Sequence, residues 1–182
     1  MDTKGARALL VIDVQIGLIE GLPAYRGTEV VATIERLILK ARGCLMPVIF
    51  VQHDGEPGHA LEPQTAGWPI HPSISPGPED LVIHKRASDA FYDTSLDSEL
   101  RARGIEHLIV AGCMTEYCVD TTCRRAVTLG FDVTLVADAH TTTETKVLSA
   151  SQIIEHHNWL LHGFDAGAHA IAVTPSDKLL FC

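Results

Sequence analysis

The sequence predicts an α/β protein, a three-layer αβα arrangement with helices on both faces of a parallel sheet. Three observations carry that prediction. Short apolar runs alternate along the chain with segments of helical periodicity, the pattern of a parallel sheet wound with right-handed crossovers. The first apolar run, residues 6–13, is continuous and not alternating, as in a strand buried on both faces. Glycines at 43, 104 and 130 close the helical segments, where a left-handed C-terminal residue is favoured.

Each element follows from local pattern. Residues 6–13 form the first strand and end in Asp13. Residues 17–27 are a loop, and Thr28 is placed to cap a helix whose stripe is Val30, Val31, Ile34, Leu37, Ile38 and Ala41. Residues 47–51 are the second strand and 80–85 the third, which ends in Lys85. Thr94 or Ser95 caps a short helix through Leu96 and Leu100, and residues 106–111 are the fourth strand. After Gly112 the pattern turns helical from Thr115, with Cys118, Val119, Thr122 and Ala126 at helical spacing. Residues 131–137 are the fifth strand, 138–143 a polar loop, 149–161 a helix, 170–173 the sixth strand and 176–182 a short amphipathic tail. The proline- and glycine-rich stretch 53–78 has no element of its own; a loop this long in a compact domain usually serves function.

Composition narrows the classes of function. The chain has 182 residues, read as one domain over 1–182, with 46% hydrophobic and 20% charged residues, which excludes a disordered chain. A net charge of −9 argues against nucleic acid or an anionic membrane surface as a partner. No apolar run approaches the roughly 20 residues of a membrane span. Met1 to Arg7 shows no signal-peptide pattern, and the five cysteines are expected to be reduced thiols in a cytoplasmic protein.

In open α/β sheets, ligands bind beyond the carboxyl ends of the strands. Asp13, Lys85 and Cys118 all fall there in the expected topology. Singly, each has a plain structural reading: a turn residue, a solvated strand end, a small buried hydrophobe. Together they supply what a cysteine hydrolase needs. Cys118 is the nucleophile, Asp13 the general base and then acid, and Lys85 the cation beside both. Placement in the first turn of a helix predicts a Cys118 thiol that ionises below its free value of about 8.5. The backbone N–H groups of Met114 and Cys118 are the expected oxyanion donors.

Leu10-Val-Ile-Asp-Val-Gln15, Lys85-Arg86 followed by Phe91-Tyr-Asp-Thr94, and Gly112-Cys-Met-Thr-Glu-Tyr-Cys-Val119 with Thr122, Arg124 and Ala126 resemble the isochorismatase-like cysteine hydrolases. The resemblance implies a six-stranded parallel sheet of order 3-2-1-4-5-6 and the triad Asp13, Lys85 and Cys118. It also implies a non-proline cis peptide from Cys113 to Met114 that aims the Met114 N–H at the substrate oxygen. Gln15, Trp68, Phe91, Tyr92 and Thr115 are the substrate-binding candidates. Nicotinamidases of the family carry an aspartate-and-histidine metal site after the second strand. His53, Asp54 and His59 could ligate a metal, but Val51 stands where their aspartate would, so no metal and no cofactor are expected and His53 and Asp54 are read as shaping the pocket mouth.

The expected activity is metal-independent cleavage of an amide or lactam of a small molecule, as in the small streptothricin hydrolase-like members. Vinyl ether hydrolysis and nicotinamidase activity stay open as alternatives. So does a non-catalytic oligomeric binding protein. A homo-oligomer is expected from the resemblance, and residues 155–159 read either as part of a subunit contact or as an exposed helix face.

Overall fold

The computed structural model describes residues 5–22 and 24–182. The prediction about the extreme N-terminus lies outside the described residues at 1–4. The strands are β1 (Ala6–Ile12), β2 (Val48–His53), β3 (Leu81–Lys85), β4 (Ile105–Cys113), β5 (Asp132–Thr141), β6 (Asp165–Ala166) and β7 (His169–Thr174). The helices are α1 (Gly27–Gly43), α2 (Leu96–Ala102), α3 (Asp120–Thr128) and α4 (Ala150–Leu161). The sheet runs β3-β2-β1-β4-β5-β7-β6, and every pairing is parallel except that of β6 with β7. The predicted order is therefore present, with one strand added. The two-residue β6 folds back antiparallel on the outer strand, too short to leave a periodic signal.

β1 shows why the sheet sits in the middle layer. Ala8, Leu10 and Ile12 pack on one side with residues of α2 and α3. Leu9 and Val11 pack on the other with the α1 stripe Val30, Val31, Ile34, Leu37, Ile38 and Ala41. Successive side chains of a strand point to opposite faces, so burial on both sides requires the unbroken apolar run seen in the sequence. The α1 stripe is the predicted one, but the helix starts earlier. Arg26 holds the N-cap position in a left-handed conformation, and Thr28 lies inside the helix. At α4 the predicted cap is present, with Ser149 and Gln152 forming a reciprocal capping box.

Two departures from the predicted elements matter for the site. β5 continues through the stretch expected to be a polar loop. Its register with β4 passes from Val110↔Leu135 to Gly112↔His140, so the backbone bulges at 136–139 and then resumes pairing. Second, α3 does not begin at Thr115. Residues Thr115–Val119 form a wide π turn, and the α-helix starts at Asp120. Gly112 serves close approach instead of a turn. Its φ is 132°, and a Cβ there would collide with the backbone of Ile12.

The expectation of five reduced thiols fails for two of them. Cys44 and Cys182 form a disulfide between the end of α1 and the chain terminus. Sequence spacing hides the pair, but the tail is drawn in by other contacts. Phe181 is buried in the α1-side core, and Arg7 donates to the carbonyls of Leu180 and Phe181 at 2.8 and 2.7 Å. Among the described residues no helix is long and apolar enough to cross a membrane.

Candidate active site

β1, β3 and the π turn after β4 bring Asp13, Lys85 and Cys118 together at the carboxyl edge of the sheet. β1 ends as Asp13 takes a left-handed φ of 50°, a conformation that aspartate tolerates better than most residues. The Asp13 N–H donates to Val51 O at 2.9 Å, which fixes this residue against β2. Lys85 closes β3, where it pairs with His53. Its Nζ lies 2.7 Å from Asp13 Oδ2 and 3.2 Å from Cys118 Sγ, and it donates to Ala87 O at 2.8 Å. His53 Nδ1 is a fourth neighbour at 3.3 Å. An ammonium has three protons, so the longest of these contacts is the one left weakest.

The site is dry. Asp13 is 1% and Lys85 2% exposed. Neither Asp13 oxygen has a well-aligned hydrogen-bond donor, although Oδ2 is in ionic contact with Lys85. The pair attracts without an aligned donor, because Coulomb attraction at 2.7 Å does not depend on donor angle. The carboxylate thus keeps acceptor capacity toward the Cys118 thiol, which it adjoins.

These surroundings reverse the expected ionisation of Cys118. Burial and the Asp13 carboxylate push its thiol up to about 12, against the opposing pull of Lys85. The sequence expectation of a depressed value weighed the helix N-terminus and the lysine and left out burial and the aspartate. For Lys85 burial favours the neutral amine, but Asp13 and Cys118 outweigh it and hold the ammonium above its usual range. The resting constellation is a thiol beside a carboxylate–ammonium pair. Cys113 and Cys123, wholly buried, are pushed up by burial as well.

The predicted cis peptide joins Cys113 to Met114. The Met114 carbonyl accepts from the N–H groups of Tyr117 and Val119, at 3.1 and 3.2 Å, and passes over that of Cys118.

The remaining predicted site residues divide. Gln15 is buried and frames the pocket without reaching into it. Its Nε2 donates to His53 O and Trp68 O, and its Oε1 accepts from the His53 N–H. Trp68 donates from Nε1 to Asp54 Oδ1 at 2.8 Å and stacks on His84. Phe91, a substrate-binding candidate, is a core residue stacked on Phe131. Tyr92 is 67% exposed and lines a cavity of about 350 Å³ with Asp54, His84, Lys85, Arg86, Ala87 and Asp93. Thr115 is fully buried and turned away, its Oγ1 2.9 Å from His140 Nδ1.

His53, Asp54 and His59 do not converge as a metal site. Asp54 Oδ1 is taken by Trp68 and His84, and His59 Nδ1 accepts from the Leu61 N–H. Among the described residues no group of three His, Cys, Asp or Glu is placed to hold a metal ion. Sequence reading missed the contact of His53 with Lys85 and the place of His140 against the Thr115–Val119 turn. The β2–β3 register sets the first and the β5 bulge the second, and neither is written in residue spacing.

Fold and site together define a doubly wound α/β protein with a buried aspartate and lysine and a half-buried cysteine at the carboxyl edge of its sheet. The isochorismatase domain model matches residues 7–160, and the chain belongs to the isochorismatase family. It is 39% identical over 137 residues to a streptothricin hydrolase of Streptomyces noursei, covering 75% of this chain and 50% of that one. The chain thus spans about half the length of that relative. It is 33% identical over 171 residues to the isochorismatase family protein YddQ of Bacillus subtilis, covering 92% of this chain and 95% of the other. In structure it is similar to an isochorismatase from Pseudomonas putida KT2440, with a TM-score of 0.87, 33% identity, and coverage of 96% of this chain and 90% of that one.

Proposed function

We propose that this protein is a cysteine hydrolase that cleaves a C–N bond, amide or lactam, of a small molecule. One observation carries the reading: a buried ammonium touches both a carboxylate and a sulfur, 2.7 Å from Asp13 and 3.2 Å from Cys118. A structural ion pair needs no thiol, and a structural cysteine needs no lysine.

The steps follow from the neighbours of the sulfur. As Cys118 Sγ attacks the substrate carbonyl carbon, its proton passes to Asp13, which supplies the base that a thiol near 12 requires. The negative charge moves onto the carbonyl oxygen, where the N–H groups of Met114 and Cys118 receive it. Asp13 returns the proton to the leaving nitrogen as the C–N bond breaks and a thioester remains. Water then gives a proton to Asp13 and adds to the thioester carbon. Release of the acid restores the protonated sulfur. Lys85 holds the Asp13 carboxylate in place and stabilises negative charge on the sulfur as it forms.

The reading takes residues 1–182 as one domain and needs no metal, since His53, Asp54 and His59 are engaged elsewhere. Relatives support the choice of bond. Besides the streptothricin hydrolase, a ureidoacrylate amidohydrolase of Variovorax paradoxus is 31% identical over 169 residues. The test is hydrolysis of a panel of small amides, including nicotinamide, N-carbamoylsarcosine and streptothricin, with and without a chelator. Turnover unaffected by chelator and abolished in Cys118→Ala is expected. Undiminished turnover in Cys118→Ala refutes the thioester route.

A further inference from the structure

We infer that His140 is a positioning residue of this site: through Thr115 it fixes the start of the turn whose Met114 and Cys118 N–H groups receive the oxyanion. The inference rests on the reading of that turn given under Proposed function.

Three side chains form a strut from the far side of the sheet edge to the turn. Asn158 on α4 donates from Nδ2 to Ala137 O at 3.0 Å, which leaves its Oδ1 as acceptor. His140 Nε2 lies 2.9 Å from that Oδ1 and is the protonated ring nitrogen. His140 Nδ1 is then an acceptor, and Thr115 Oγ1, 2.9 Å away, donates to it. The direction of every bond follows from the Asn158–Ala137 contact at one end. The strut is buried where it meets the turn, with Thr115 at 0% and His140 at 1% exposure. Burial pushes His140 down to about 4, so the imidazole stays neutral and the direction of the bonds holds.

The strut bears on the chemistry because of where it attaches. Thr115 follows Met114 directly, and its carbonyl accepts from the Asp120 N–H at the far end of the turn. Threonine is stiff at χ1, so holding Oγ1 also holds the backbone from which the oxyanion donors project. The β5 bulge brings His140 level with Gly112, just before the cis peptide. An unbulged β5 would present a different residue at that level. The hydrogen bonds of Lys85 go to His53, Ala87 and Cys118 and not to the strut. Loss of the strut should therefore harm oxyanion binding more than it harms the sulfur.

That difference provides the experiment. p-Nitrophenyl acetate acylates a cysteine through a tetrahedral oxyanion: sulfur bonds to the carbonyl carbon, the C–O bond breaks and p-nitrophenolate leaves. Iodoacetamide alkylates the same sulfur by displacing iodide at a saturated carbon, with no oxyanion. In Thr115→Val, nearly isosteric, and in His140→Phe, the acyl-transfer kcat should fall about 10- to 100-fold with KM within about twofold, somewhat less than loss of an oxyanion donor. Alkylation of Cys118 should stay within about twofold, and Thr115→Ser, which keeps the hydroxyl, should restore acyl transfer. The double variant should be no worse than the poorer single one, because both changes cut one strut. Acyl transfer in Thr115→Val within about threefold of the parent, or a parallel fall in both reactions, overturns the inference. Should Cys118 of the unchanged protein take neither acetyl nor alkyl group, the nucleophile reading itself fails, and this inference with it.

Discussion

Lys85 Nζ stands 2.7 Å from Asp13 Oδ2, and both side chains are shut off from solvent. A buried pair of this kind is costly to break from one side, since the surviving charge is stranded, at about 3–5 kcal/mol. Asp13→Asn leaves the ammonium unpaired and Lys85→Met leaves the carboxylate. Each should lower stability by about 3–5 kcal/mol in urea denaturation, and the double variant should recover much of that loss. Single losses below about 1 kcal/mol would show that water reaches the pair.

In the proposed mechanism Asp13 deprotonates Cys118 during attack, while burial and the same carboxylate hold the resting thiol protonated. Asp13→Asn removes the negative charge and leaves Lys85, so the thiol, held near 12 by burial and Asp13, should ionise at lower pH. Labelling of Cys118 by iodoacetamide at pH 8 should quicken. Amide turnover should drop by roughly 10²-fold or more through loss of the general acid and base. The two rates moving in opposite directions is the signature to look for. Slower labelling in Asp13→Asn, measured by mass spectrometry of the modified peptide, would contradict this account.

The parts of the site that could be read from sequence are those that topology dictates. Asp13 and Lys85 are strand-end residues, and a parallel sheet places strand ends along one rim whatever the details. The periodicity of α1 and the continuity of β1 had the same standing, because burial alone fixes them. Other features depend on three-dimensional accidents of register. Phe91 was a substrate-binding candidate in the loop after β3, and that loop turns it onto Phe131. Gln15 follows the Asp13 turn and bridges β2 and the 53–78 loop through its amide, which no spacing rule predicts. The ionisation of Cys118 was misjudged because a helix N-terminus is visible in sequence, whereas the burial of the sulfur and its distance to a carboxylate are not.

The Cys44–Cys182 disulfide closes a loop of 138 residues in sequence separation. In the chain-entropy account, cross-linking so long a loop stabilises the fold by an amount on the order of 2–5 kcal/mol. Cys182→Ser, or reduction of the parent, should lower the midpoint of thermal unfolding. Alkylation of Cys118 should be unchanged, because the bond lies at the end of α1 and not at the strand-end rim. An unchanged midpoint would mean that Arg7 and the buried Phe181 hold the tail without the bond.

His140 gives the fold a dependence on acid whose sign can be worked out. Burial disfavours the imidazolium and lowers the folded-state value from 6.5 to about 4, with the Asn158 contact working against that shift. Above about 6.5 the ring is neutral in both the folded and unfolded chain, and its contribution to stability is fully present. As pH falls from there toward 4 the unfolded chain takes up a proton that the folded protein refuses, so stability declines. Below about 4 both forms are charged and the decline from this group ends. The span of about 2.5 pH units corresponds to about 3 kcal/mol. Urea denaturation at pH 7 and pH 4 should therefore show a smaller acid loss in His140→Phe than in the parent, by about that amount. Equal losses in the two proteins would mean that the imidazole accepts its proton in place, and that the strut reverses or breaks before the fold does.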